Sequence, residues 1–404
     1  MSQGISRISV VSDDALKRMS VRARFKEDEA EKRTAALAKA DPRPGLVCAT
    51  AALVGFGALM IFSVSSAGNT PMQMGMALRH VIYALVGTAG LLIARRTDYH
   101  LLGRLKWVML AVAVAALGAV LVPSIGAQIN GARRWFSLGP VTVQPSEFAK
   151  IALIVFMADF LARSRDRSSE LLRGFLPAMA VIVLVCMLIQ MEPDFGNAVL
   201  IGMVGVSMLT VAGIKLVYIL ALAGISLPAL YFAIIRVPYR LQRLTAFLDP
   251  WADPRGVGYH TVQSLIAVGS GGFFGIGLGR SAQKLHYLPS AYSDFLFAIV
   301  AEEMGHLGCL IVAGLFLAFL YYAMRISREA VDDLGFFMAF GLVMAVVLQA
   351  SINIAVVTAC IPAKGLPLPF VSFGGSNLVS SMIIVGILLN IADHSRKGPA
   401  DERS

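Results

Sequence analysis

The sequence predicts an all-α polytopic membrane protein of ten transmembrane helices, with a large extracytoplasmic loop between the seventh and the eighth. Three observations carry this. Of the 404 residues, 57% are hydrophobic and only 15% charged, where soluble chains hold about 45–50% and about 25%. The mean hydropathy is +0.72. Apolar runs near the length of a bilayer crossing, about 20 residues, recur from residue 45 to residue 392. The same composition excludes an ordinary soluble enzyme, which could not cover so much apolar surface, and a disordered chain or a secreted disulfide scaffold.

Residues 1–44 come first and are polar and charged, ending in DPRPG. They read as a basic, mostly disordered cytoplasmic tail, in which ALKRMSVRARF forms at most a short amphipathic helix. They lack the apolar core of a signal peptide. The membrane domain occupies 45–393. Its spans fall at 45–67, 76–95, 105–124, 147–163, 173–190, 196–213, 215–236, 294–324, 335–358 and 371–392. A cytoplasmic tail, 394–404, follows.

Charge in the short loops orients these spans. Arg95, Arg96, Arg104 and Lys106 follow the second, and Arg163, Arg165, Arg167 and Arg173 follow the fourth. The loop after the fifth, MEPDFGN, has two acids and no base. Basic loops stay in the cytoplasm, so both termini are expected there, and the long loop 237–293 outside. The net charge of +10 includes ten basic residues before Gly45, interleaved with acids. That distribution suits anionic lipid rather than nucleic acid. Cys48, Cys186, Cys309 and Cys360 lie in or beside apolar runs without C-x-x-C spacing, so neither a metal site nor a disulfide framework follows.

Three outward segments interrupt the apolar pattern. The first, GAQINGARRWFSLGPVTVQPSEFAK, sets Arg133, Arg134 and Trp135 ahead of Gln144, Pro145, Ser146, Glu147 and Lys150. Pro145 suits a first helical turn, Gln144 or Ser146 can cap it, and Glu147 and Lys150 lie one turn apart. A capped helix with an internal ion pair is the plainer reading of this stretch. The second is the 237–293 loop. Its GYHTVQSLIAVGSGG, containing Gln263, reads as a short helix before a Gly-rich turn. GIGLGR there lacks the preceding strand that a nucleotide loop needs.

Asp294 ends that loop at the mouth of the apolar run DFLFAIVAEEMG. An ionisable residue there is a functional candidate by default, although an Asp beside a helix N-terminus is also favoured by the dipole alone. Glu302 and Glu303 lie two turns deeper and cannot both face lipid. The third segment, ACIPAKGLPLPFVSFGGSNL, surrounds Lys364 with prolines and glycines and leads to Ser372 and Ser376. Broken backbone at membrane depth is tolerated where protein or a polar cavity surrounds it. Together the segments offer cations, hydroxyls, amides and carboxylates on one side, which suits an anionic amphipath with its tail in the bilayer.

NGARRWFSLGPVTVQPSEFAK, EPDFG, RLTAFLDPWADPRGVGYHTVQSLIAVGSGG, GLGRSAQKLHYLPSAYSDFLFAIVAEEMG and IPAKGLPLPFVSFGGSN occur in this order. In them the chain resembles the shape, elongation, division and sporulation (SEDS) family, which includes FtsW, RodA and SpoVE, over about residues 45–395. DPWADP and GLGRSAQK are closer to the FtsW division branch, while FGGSN departs from the commoner SYGGSS. The resemblance implies a multi-pass protein of the bacterial cytoplasmic membrane that polymerises lipid II into glycan strands. It further implies a class B penicillin-binding protein as transpeptidase partner, and it places the family's essential aspartate at Asp294.

On that reading Asp294 removes a proton from the acceptor hydroxyl. Arg133, Arg134 and Lys364 face the leaving diphosphate, and Trp135, Gln144, Ser146, Glu147, Lys150, Gln263, Ser372 and Ser376 complete the substrate site. No protein metal site is expected and no cofactor is assigned, with a divalent cation, Mg or Mn, left open. A flippase of the same lipid-linked precursor and a scaffold for the transpeptidase are the competing classes. A flippase needs access from both faces, so its polar residues should continue to the cytoplasmic side, and polymerisation from lipid II separates all three.

Overall fold

The computed structural model describes residues 41–66, 71–129, 131–139, 141–164, 170–236, 238–281, 283–284, 292–362 and 365–397. Residues 1–40 with the expected amphipathic helix, part of the 237–293 loop, Arg165, Arg167, Lys364 and residues 398–404 lie outside the described residues, and the last residues of the expected tail, from Pro42, already belong to the first helix. The chain is a multi-pass membrane protein. Among the described residues six helical stretches are long and apolar enough to cross a bilayer: Pro42–Ser65, Gly75–Arg96, Leu171–Met191, Leu296–Arg328, Asp333–Val357 and Gly375–Arg396.

The first helices are α1 (Pro42–Ser65), α2 (Pro71–Arg96), the short α3 (Tyr99–Arg104) and α4 (Lys106–Val120). Next come α5 (Pro145–Arg163), α6 (Leu176–Met191, preceded by a wide turn Leu171–Phe175), α7 (Phe195–Val211) and α8 (Leu216–Ile235). In the long loop lie α9 (Pro238–Leu248) and α10 (Tyr259–Ser270). The last three are α11 (Leu296–Arg328), α12 (Asp333–Val357) and α13 (Gly375–Lys397). A helix thus overlies each expected span. α10 and the glycine turns after it match the short helix read in GYHTVQSLIAVGSGG, whereas α9 was not foreseen.

One departure from an all-α fold is a small antiparallel sheet between α4 and α5, of β1 (Gly126–Ile129), β2 (Ala132–Leu138) and β3 (Val141–Val143). Gly131 and Gly139 stand at the two turns with φ of +80° and +66°, a conformation that only glycine adopts without steric cost. Trp135 faces Ala127 while Arg133 faces Gln128, so Arg134 is an extra residue in the strand. A bulge of this kind bends the strand and re-aims a side chain.

Packing separates an inner from an outer set of helices. In the most apolar window 89% of α13 and 67% of α12 is buried, against 22% of α2. α5 is buried along nearly its whole length, from Pro145 to Leu161. The outer helices keep large apolar residues exposed, among them Phe62, Leu85, Ile93, Val112 and Leu310, as lipid contact requires. α13 lies so close to α2 that a Cβ on Gly386 would stand 2.4 Å from the carbonyl oxygen of Leu91.

α11 is broken within its first third. Gly305 has φ 65° and ψ −160°, and the break opens backbone groups that a helix would pair. The loop after α10 closes them. Ile276 and Gly277 donate to the carbonyls of Glu302 and Glu303, and His306 and Leu307 donate to those of Gly272 and Phe273, all within 3.1 Å. Glu303 forms a fully buried ion pair with Lys284 and accepts from the Ser63 hydroxyl at 2.8 Å, while Ser281 donates to Glu302. The two acids thus turn to protein partners, as their place in an apolar run demands.

Candidate active site

Four connections meet at one end of the helices: the sheet, the turn Glu192–Pro193–Asp194, the approach to α11 at Asp294, and the segment 365–374. Each is tied down by polar side chains.

Arg134 reaches from its bulge to the 192–194 turn. Its guanidinium donates to the main-chain carbonyls of Glu192, at 2.9 Å, and of Pro193. Asp194 caps α7, accepting from the Asn197 backbone at 3.3 Å and its amide at 2.8 Å. Gln144 adds a third bond to the same carboxylate, at 3.0 Å, joining the start of α5 to the turn. The Gln144 main-chain N–H donates to Ser376 Oγ at 2.9 Å, and that hydroxyl donates to Thr142.

Asp294 is half-buried just before α11. Burial and the Asp194 charge push its carboxyl up to about 6, against pulls from Ser293, Arg243 and Arg134. Glu192 is buried with neither carboxylate oxygen hydrogen-bonded. Burial, then Asp194, pushes it up to about 8, with Arg134 opposing. Asp194 is raised by burial as well. Three carboxylates therefore share one neighbourhood with Arg134 and with Arg243 of α9, and burial raises all three.

A buried relay holds this arrangement from beneath. Glu147 Oε2 accepts from Lys150 Nζ at 3.0 Å and from Ser380 at 2.8 Å. Lys150 also donates to Gln349 Oε1 at 2.8 Å, and the Gln349 amide donates to the Pro367 carbonyl at 3.0 Å. One turn along α12, Asn353 donates to the carbonyls of Asp294 and Leu366. A Cβ on Gly365 would meet the Asp294 carboxylate at 2.9 Å, so a bare glycine backbone lies along that acid.

The expected site residues divide accordingly. Arg134 and Gln144 join the carboxylate group directly, and Arg133 and Trp135 flank Arg134, half-buried, on β2. Glu147 and Lys150 form the ion pair their spacing predicts, but both are sealed inside the protein and act on the site through α12. Ser376 and Ser372 serve the main chain, Ser372 accepting from the Leu368 N–H at 3.1 Å. Neither Gln144 nor Ser146 caps α5 with its side chain, and Ser146 Oγ is buried without a hydrogen-bond partner. Gln263 sits half-buried on α10, and among the described residues no hydrogen bond links it to the carboxylates. Lys364 lies outside the described residues.

Glu192, Asp194, Arg243, Gln349 and Asn353 were not picked out as site residues. EPDFG and a Gln and Asn four apart in an apolar run were the available signals.

The family model described as cell cycle protein, of FtsW, RodA and SpoVE, matches residues 44–397. A probable peptidoglycan glycosyltransferase FtsW of Trichlorobacter lovleyi is 42% identical over 88% of this chain and 94% of its own. Stage V sporulation protein E of Bacillus subtilis is 36% identical over 89% and 99%. Among solved structures, a chain from a peptidoglycan synthase complex that coordinates polymerization and crosslinking superposes with a TM-score of 0.73 at 25% identity, covering 87% of this chain and 98% of that one. With nearly the whole membrane domain matched in sequence and in fold, the chain belongs to the FtsW, RodA and SpoVE family of cell cycle proteins.

Proposed function

We propose that this chain is a peptidoglycan glycosyltransferase that polymerises lipid II on the outer face of the bacterial cytoplasmic membrane, with Asp294 as general base. The observation that carries the reading is the Asp294 carboxyl, half-buried, pushed up to about 6 and set beside two arginines. A base works best with a pKa near the working pH. At pH 7 most of the Asp294 population is ionised, yet basic enough to take a proton.

In the proposed step the acceptor sugar hydroxyl gives its proton to an Asp294 oxygen as its own oxygen bonds to the donor's anomeric carbon. The bond from that carbon to the lipid diphosphate breaks, and the electron pair leaves on the diphosphate. Arg134, immobilised by two carbonyls, and Arg243 set positive charge where that negative charge develops. A diphosphate approaching between them also meets the amides of the 365–374 segment. The displacement inverts the anomeric centre, and Asp294 returns its proton to solvent.

The ten helices that overlie the apolar runs would all cross the membrane, with both termini in the cytoplasm and 237–293 outside. Two features support this. Arg95, Arg96, Arg104 and Lys106, with Arg163 and Arg173, fall at the ends of the helices away from Asp294, and Arg134, Gln144, 192–194, Asp294 and 365–376 are tied together at the other ends. The partner on that side is a class B penicillin-binding protein, which would crosslink the strand made here. The single test is polymerisation of lipid II by the purified chain alone. Glycan strands from wild type and none from Asp294→Asn is the expected result. Strands formed equally by both would remove Asp294 as base, and none from either would leave a transporter or a scaffold.

A further inference from the structure

A second polar cluster lies at the opposite ends of the helices, where the α2–α3 turn, the α11–α12 turn and the end of α13 meet. His100 Nδ1 stands 2.8 Å from Asp98 Oδ1, and His394 Nε2 stands 3.7 Å from the same oxygen. The ligand atoms of Asp98, His100 and His394 all lie within 4.8 Å of one another. None belongs to the candidate active site.

The outer nitrogens of the two rings are engaged. His394 Nδ1 is 2.9 Å from the Asn390 carbonyl oxygen, which only accepts, so Nδ1 carries the hydrogen. His100 Nε2 is 3.0 Å from Asp332 Oδ2. Asp332 is itself fixed, capping α12 through the Gly335 N–H at 2.8 Å and accepting from Tyr99 at 2.9 Å. With its Nδ1 donating to Asn390, His394 can turn an Nε2 lone pair toward the Asp98 carboxylate, which His100 Nδ1 faces from the other ring. Three ligand atoms of two rings and one carboxylate thus converge on one place, where a cation can lie between them. The 3.7 Å separation is too long for a hydrogen bond. A tetrahedral Zn²⁺ with bonds of about 2.0–2.1 Å holds its ligands about 3.3 Å apart, between the two distances found.

We propose that Asp98, His100 and His394 bind a first-row divalent metal ion, Zn²⁺ in particular, with Asp332 and the Asn390 carbonyl orienting the two imidazoles. Imidazole with carboxylate is a donor set for Zn²⁺ rather than for Mg²⁺ or Ca²⁺. An imidazole that binds metal through one nitrogen and donates its other N–H to a carboxylate or carbonyl is the usual outer arrangement of such sites. Three protein ligands leave a fourth position for water. The ion would fasten the end of α13 to the α2–α3 corner, independently of the glycosyl transfer proposed above.

The test is Zn²⁺ binding to the untagged full chain in detergent after chelator treatment, followed by competition with a fluorescent chelator and by Co²⁺ absorption. One equivalent of Zn²⁺ and a visible Co²⁺ spectrum of a four-coordinate site are expected. His394→Ala and Asp98→Asn should each weaken binding at least 10-fold; Asp98 Oδ1 also caps α3, accepting from the His100 N–H at 2.9 Å, and Asn keeps that cap, so the second variant keeps the local fold. Asp332→Asn, which touches no ion, should weaken it roughly 10–100-fold. Zn²⁺ should raise the unfolding temperature of wild type and not of His394→Ala. Failure of wild type to bind Zn²⁺, or equal affinity in wild type and Asp98→Asn, overturns the proposal. The cluster would then be a pair of imidazolium–carboxylate bridges.

Discussion

Asn353 donates its side-chain amide to the main-chain carbonyl of Asp294 at 2.8 Å and to that of Leu366 at 2.7 Å. One buried amide thus holds both the proposed base and the loop facing it. Substituting Asn353 by Leu leaves two carbonyls without donors, at about 1–3 kcal/mol each where no water enters. Polymerisation by Asn353→Leu is expected to fall at least 10-fold at saturating lipid II. A fall confined to lipid II affinity would place Asn353 in binding rather than in positioning the base.

Asp294 has a signature in stability as well as in rate. Its native carboxyl sits at about 6, above the ordinary 3.8. The folded state therefore holds the proton more tightly than the unfolded one, and the stability tied to that proton is lost as pH rises from about 4 to about 6. Asp294→Asn is expected to polymerise roughly 10²-fold slower. Relative to wild type, its unfolding temperature should be higher at pH 7.5 than at pH 4.5, and wild-type activity should fall as pH drops through about 6. A variant less stable at pH 7.5 than at pH 4.5, compared with wild type, would mark Asp294 as a structural cap.

Glu192 follows the same sign over a higher window. Pushed from 4.5 up to about 8, it is protonated at pH 7, and the stability it lends declines between about pH 4.5 and pH 8. Glu192→Gln imitates the protonated form. Thermal unfolding should show little change at pH 6 and a gain over wild type at pH 9. Equal curves at both values would show that Glu192 is ionised throughout.

Arg134→Lys tests whether charge alone suffices at the bulge. Lysine cannot span the Glu192 and Pro193 carbonyls as a planar fork does. Turnover at sub-saturating lipid II should drop at least 10-fold with the protein still folded. Wild-type turnover would remove Arg134 from the diphosphate site.

Lys284→Met strands Glu303 in the interior. Breaking a buried pair from one side costs about 3–5 kcal/mol, which chemical unfolding in detergent would register. Lys284→Met combined with Glu303→Gln should recover a large part of the loss, since no uncompensated charge remains.

The helices were legible because bilayer length and apolar runs are local properties. Pairings three residues apart were legible for the same reason, as Glu147 and Lys150 show. Asp294 could be singled out at a span's mouth, but its role came from the family resemblance. What stayed hidden depends on distant segments meeting. The need of Glu302 and Glu303 for partners was evident, yet nothing local designates Lys284 and Ser63 for Glu303. The Arg134 bulge depends on where β1 pairs, and an alternating strand pattern does not reveal a skipped residue. Glu192 and Asp194 looked like loop acids until the sheet and α11 closed around them.

The break at Gly305 bears on how the protein is made. A helix with open carbonyls and amides in its first third is a poor passenger for hydrocarbon, and the groups that close it belong to residues 272–277. Those residues leave the ribosome before α11 does. The plug is already synthesised when the helix it completes arrives, so α11 matures as a pair of segments rather than as an independent inserting unit. A chain with α11 but without 271–284 would present the insertion machinery with a hydrophobic stretch that has nowhere to satisfy its backbone, and quality-control proteolysis would be its fate.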